Sequence, residues 1–172
     1  FRDYIKMHPH LSMHSKVHPP GPVALLWLFS MVTFSQNAFP LAIATIVFGA
    51  TAVVPLYFWT KDMAGSRVAL TACSLYVVMP TIVLFTATSA DILFMPFTVT
   101  TLFLFWRALE RKSIPYALAA GFTYALMSLL SFSLIGIGAF FGFAGLWRLG
   151  QTGKRLAVLQ TAALMITAFL LT

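Results

Sequence analysis

Beyond residue 22 this chain leaves a folding polypeptide almost no polar ground. Apolar runs lie at about 23–34, 38–59, 68–87, 92–106, 114–131, 132–147 and 156–172, separated only by short polar or basic turns. In hydrocarbon every backbone N–H and C=O must be satisfied internally, so such a chain folds as membrane helices or as a closed barrel. There is no strand-like alternation of apolar and polar residues and no sequence repeat. The expected fold is therefore an all-α membrane protein, a polytopic helical bundle. Composition agrees, because only 9% of residues are charged, against roughly 25% in soluble domains.

A spanning helix takes ~20 residues, or ~17 at the least. The runs at 38–59, 68–87, 114–131, 132–147 and 156–172 meet this or nearly so. The run at 92–106 does so only with Asp91 at its mouth and Arg107 at its far end, and 23–34 is too short. About six spanning helices are expected, preceded by one that does not cross.

Charge orients them. A net charge of +7 would point a soluble chain toward nucleic acid. Here the excess sits in short loops, which membrane topology alone requires, and no nucleic-acid partner is expected. The basic clusters are Lys61/Arg67, Arg107/Arg111/Lys112 and Arg148/Lys154/Arg155, each closely preceded by a tryptophan (Trp59, Trp106, Trp147) where an aromatic belt would sit. With all three clusters cytoplasmic, the connections near 87–91 and 131–133, which carry no Lys or Arg, face outward. So does Ser35-Gln36-Asn37, and the run at 23–34 then reads as a helix in the outer interface, with Trp27 and Phe29 toward lipid or the bundle. The expected organisation is an outer polar loop over 1–22, a juxtamembrane helix over 23–37, and a transmembrane bundle over 38–172. The start at Phe1 and the stop inside an apolar run lead us to expect a piece of a longer protein, truncated at both ends. The lone Cys73 lies in an apolar run and has no internal partner for a disulfide.

Chemistry-bearing side chains concentrate at one place. His14-Ser15-Lys16-Val17-His18-Pro19-Pro20-Gly21-Pro22 ends a segment that holds all four histidines, His8, His10, His14 and His18. His10, His14 and His18 recur every four residues, so on a helix they share a face that could ligate a divalent ion or donate to phosphate oxygens. The competing reading is an interfacial segment with chance spacing, since Pro9 and Pro19 limit a helix to barely two turns. Asp91 opens an apolar run; an ionisable group there is either functional or a helix N-cap. Asp62 and Glu110 read as solvated surface, and Gly136, Gly138, Gly142 and Gly145 as small residues for close helix packing. No phosphate-cradling glycine loop, Cys/His zinc pattern or nucleophile elbow is present.

His18-Pro19-Pro20 after a histidine-bearing loop resembles the lipid-linked-sugar glycosyltransferases of the GT-C fold, and most closely the bacterial dolichyl-phosphate-mannose-protein mannosyltransferase-like group with its aminoarabinose transferase relatives. The resemblance continues in order through the basic turn Trp59–Arg67, Met79-Pro80, the short loop Phe85–Asp91 with an acid opening the next helix, and the break at Leu129-Leu130-Ser131-Phe132-Ser133. It implies a multi-pass protein of a bacterial inner membrane, active face outward, that moves a sugar from a polyprenyl-phosphate donor to a lipid, glycan or protein acceptor. It further implies inverting substitution at the anomeric carbon, with a carboxylate as general base and cationic groups or a metal on the departing phosphate. By this resemblance Lys16, His14 and His18 are candidates for the phosphate side, and Asp91 for positioning acceptor or metal. The resemblance also places a main catalytic acid upstream of this sequence. Where family members often carry an Arg, this chain has Ser35, Gln36 and Asn37. No cofactor is demanded by the residues beyond a candidate divalent metal at His10, His14 and His18. The alternative is a transporter or channel fragment with a His-lined cation site. Transporters concentrate polar groups at mid-membrane, whereas this chain concentrates them at one surface. A non-catalytic membrane subunit is the third reading.

Overall fold

The computed structural model describes residues 19–85, 89–151 and 155–172, and all the regular structure within them is helical. Prolines and glycines explain most of the boundaries. Helix α1, Gly21–Val32, carries Pro22 in its first turn, where a missing N–H costs nothing. Helices α2, Ala38–Ala50, and α3, Val53–Ala64, form one stretch of 27 residues. Their junction is a tightened turn: the N–H groups of Thr51 and Ala52 donate to Phe48 O and Gly49 O at 3.0 and 3.2 Å. Pro55 has no N–H to offer Thr51 O, so an unbroken ladder cannot pass this point. Gly65, with φ +85, reverses the chain into α4, Ser66–Val78. Met79 is extended, as the residue before a proline prefers, and Pro80 opens the short α5, Pro80–Phe85. A 3-10 turn, Ala90–Leu93, leads into α6, Phe94–Arg111. Then follow α7, Ile114–Leu130, a second 3-10 turn, Phe132–Gly136, α8, Ile137–Leu149, and α9, Arg155–Leu170.

Three stretches are long and apolar enough to cross a membrane: Ala38–Ala64, Asp91–Arg111 and Phe132–Leu149. These coincide with the expected spans at 38–59, 92–106 and 132–147. The other expected spans are shorter apolar helices, α7 with 17 residues, α9 with 16 and α4 with 13. The run at 68–87 departs furthest from expectation, because Met79-Pro80 divides it. Helix α1, with 12 residues, extends ~18 Å against a hydrocarbon core of ~30 Å.

Helix α6 is the centre of the bundle, touching α2, α3, α7 and α9. It is the most buried of the three long stretches, 44% against 17% and 6%. Its inward residues Val99, Thr101, Phe105, Ala108 and Leu109 recur at helical spacing. Thr101 Oγ1 is fully buried yet satisfied, 2.7 Å from Phe97 O and 3.0 Å from Thr123 Oγ1 on α7. One apolar cluster joins Phe105, Leu109, Ala120, Val158 and Met165; a second joins Phe29, Ile92 and Leu93; a third joins Ala52, Tyr76 and Val99. Tyr76 also donates its hydroxyl to Gly49 O at 3.2 Å, fastening α4 near the α2–α3 junction.

The tryptophans and glycines differ in their packing. Trp59 packs against the third cluster, with its Nε1 buried and unpartnered among the described residues, whereas Trp147 is 69% exposed. Of the four glycines expected to pack closely, Gly138 does, since a Cβ there would run into the Tyr124 hydroxyl of α7, and Gly145 faces Val158 of α9 at ordinary contact distance, whereas a Cβ at Gly136 or Gly142 would meet open space. Close approach occurs also at Gly21 on the Leu129 carbonyl, Gly49 on Ile92, and Gly121 on the Met165 carbonyl.

Candidate functional site

The bundle has two chemically distinct ends. At one, Arg107 of α6 grips Asp62 of α3, Nε to Oδ2 at 2.8 Å and Nη2 to Oδ1 at 3.4 Å. Its Nη1 donates to the Tyr116 hydroxyl at the start of α7 at 3.3 Å. Arg148, ending α8, pairs with Glu110 and lies 4.9 Å from the Trp106 ring centroid. These contacts bring the C-terminal ends of α3, α6 and α8 together with the start of α7, so the described basic residues of all three clusters share one end. Asp62 and Glu110 are exposed, as expected of surface residues, and each in addition holds an arginine from another helix. The Asp62–Arg107 side chains retain 28% and 18% exposure, and a double-mutant cycle with Asp62→Ala and Arg107→Ala should give a coupling of about 1 kcal/mol in unfolding of the detergent-solubilised protein. Additive losses would reduce the pair to a surface accident.

Asp91 lies at the other end. The stretch Asp91–Arg111 is 21 residues long, so ~30 Å separates its termini. Asp91 is exposed, while Ile92 and Leu93 beneath it are buried. The N-cap reading of Asp91 fails in detail: Ser89 is the cap, its Oγ accepting from the Asp91 N–H at 3.2 Å. Asp91 is therefore in the first turn. There its charge complements the helix dipole, but the carboxylate has no hydrogen-bond or ionic partner among the described residues.

Other polar groups reach the same end. Helices α6 and α7 run antiparallel, in a register set by Thr98–Met127, Thr101–Thr123 and Arg107–Tyr116 contacts. The C-terminal end of α7 is thus level with the start of α6. There the Ser131 and Ser133 hydroxyls lie 2.8 Å apart, with Ser131 buried. Gly21 abuts Leu129 and Leu130, so the Pro19-Pro20-Gly21 step into α1 also reaches this end. His10, His14, Lys16 and His18 lie outside the described residues. Among the described residues no group of three or more His, Cys, Asp or Glu side chains could hold a metal ion. The hydroxyl pair was visible in the sequence only as a Ser-Phe-Ser break between two apolar runs.

Two large cavities among the described residues are apolar. One of about 520 Å³ lies among α6, α7, α8 and α9, bordered by Phe105, Tyr124, Gly142 and Met165, and one of about 620 Å³ lies between α1 and α2. Neither is lined by a carboxylate, a histidine or a lysine.

The family model described as dolichyl-phosphate-mannose-protein mannosyltransferase matches residues 17–172. The match takes in His18-Pro19-Pro20, Asp91 and Ser131-Phe132-Ser133, and leaves out His10, His14 and Lys16. No curated protein and no solved structure matches the chain.

Proposed function

The chain belongs to the dolichyl-phosphate-mannose-protein mannosyltransferase family, and from that premise we propose that it moves a sugar from a polyprenyl-phosphate donor to an acceptor on the outer face of a bacterial inner membrane. Membership makes it an integral membrane glycosyltransferase that uses a lipid-linked sugar, and a transporter or channel role loses its support. The observation that carries the finer reading is the Asp91 carboxylate, exposed and without a partner among the described residues, at the end of α6 opposite the basic clusters. A lipid-linked sugar presents its scissile bond at headgroup depth, where a helix mouth meets water.

The chemistry is substitution at the anomeric carbon. The acceptor oxygen forms the new bond to that carbon, the bond to the lipid phosphate oxygen breaks, and the acceptor proton passes to a carboxylate. Asp91 holds the acceptor hydroxyl, or a divalent ion beside it, in line with the donor. His18, supported by His14 and Lys16, neutralises the departing phosphate. His18 is the strongest of these three, since it alone falls within the family match.

The face is testable by itself. Single cysteines at Ser15 and Ser113 in a Cys73→Ser background should react with an impermeant thiol reagent from opposite sides of sealed vesicles, Ser15 from outside. Labelling of both from one side would remove the proposed orientation.

A further inference from the structure

The basic end carries more positive charge than its internal ion pairs use. Among the described residues it holds Lys61, Arg67, Arg107, Arg111, Lys112, Arg148 and Arg155, set against Asp62 and Glu110. Both acids are taken, Asp62 by Arg107 and Glu110 by Arg148. Between them opens a cleft of about 360 Å³, lined by Asp62, Met63, Trp106, Arg107, Glu110 and Arg111. The two arginines in its wall differ. Arg107 is committed to Asp62 and Tyr116. Arg111 is exposed, stands 5.9 Å from the Tyr116 ring centroid, and makes no ion pair or hydrogen bond with a described residue.

The rest of the wall is suited to a lipid more than to a soluble anion. Met63, 56% exposed, and Trp106 give it an apolar side. The cleft also lies where the long apolar stretches Ala38–Ala64 and Asp91–Arg111 both end, which is headgroup depth for helices that cross. Basic pockets between membrane helices recognise phospholipid headgroups through this combination of guanidinium and apolar wall. We propose that the cleft binds an anionic phospholipid, its headgroup phosphate on Arg111 and its glycerol shoulder against Met63 and Trp106. This site is separate from the one that holds Asp91, a bundle length away.

Thermal unfolding of the full-length protein in neutral detergent tests it. Dioleoyl phosphatidylglycerol should raise the melting temperature by several degrees more than dioleoyl phosphatidylcholine, because a ligand that binds only the folded state stabilises it by mass action. Arg111→Gln should remove at least half of that difference, while Arg67→Gln, at the same end but outside the cleft, should keep it. Native mass spectrometry gives a second readout, in which Arg111→Gln should retain one phosphatidylglycerol fewer than the wild type. Equal stabilisation by both lipids, or an undiminished increment in Arg111→Gln, would overturn the site. So would an equal loss in Arg67→Gln, which would mean diffuse charge attraction. An Arg111-dependent increment of the same size from inorganic phosphate or a polyprenyl phosphate would overturn the lipid assignment in favour of a soluble anion or the donor.

Discussion

Asp91→Asn should lower sugar transfer by the full-length enzyme about 100-fold, with the melting temperature lowered only slightly by the lost helix-dipole interaction. The substitution keeps the side chain's size and removes its charge. Asp91 is exposed and pairs with no described residue, so its loss breaks no ion pair among them. The neighbouring Ser89 supplies the contrast. Ser89→Ala deletes the hydroxyl that accepts the Asp91 N–H and should cost about 1 kcal/mol of stability, while transfer per folded molecule stays near wild type. A structural Asp91 would reverse this pattern, markedly lowering the melting temperature in Asp91→Asn with little effect on transfer. The assay is turnover of a polyprenyl-phosphate sugar with acceptor present, and the loss should fall on kcat more than on KM if Asp91 aligns the acceptor in the transition state. Retention of more than about a third of wild-type kcat in a folded Asp91→Asn protein would leave the carboxylate as a dipole-complementing residue and nothing more.

What the sequence disclosed follows the range of the physics involved. Helical runs were legible because hydropathy is local: Ala38–Ala64, Asp91–Arg111 and Phe132–Leu149 sit where unbroken apolar residues placed them. Proline effects are local too, yet the run at 68–87 was read through Pro80, and the chain breaks there. Lys/Arg counting was right that the basic clusters belong together, since a bilayer sorts charge by loop. It could not foresee Asp62 on Arg107, whose partners stand 45 positions apart and meet only through the parallel course of α3 and α6. The site was half legible. Asp91 stood out as a lone acid in apolar surroundings, but Ser89 as its cap was missed because the eye goes to the charge. Glycines were half legible: Gly138 meets the Tyr124 hydroxyl but Gly136 and Gly142 meet open space, since small residues at helical spacing say that close packing is allowed and not that a neighbour is there.

That last distinction yields the largest expected effect on stability. At Gly121 of α7 an added Cβ would overlap the Met165 carbonyl oxygen and crowd Ala168 Cβ on α9. The obstacle at Met165 is backbone, so no rotamer change relieves it, and the two helices must move apart. Their separation would loosen the cluster of Phe105, Leu109, Ala120, Val158 and Met165 on which α6 also rests. Gly121→Ala should therefore cost about 1–3 kcal/mol, despite a gain of about 1 kcal/mol in helix propensity. At Gly142 of α8 a Cβ meets nothing within 4 Å, so Gly142→Ala carries the propensity gain without the collision and should be neutral or mildly stabilising. Denaturant unfolding of both variants in one detergent measures the difference directly. Equal stabilities would mean that α7 and α9 do not cross closely at Gly121. Because α7 also carries the Ser131 hydroxyl toward the end that holds Asp91, a loosened α7–α9 crossing should lower transfer along with stability. Gly142→Ala should lower neither.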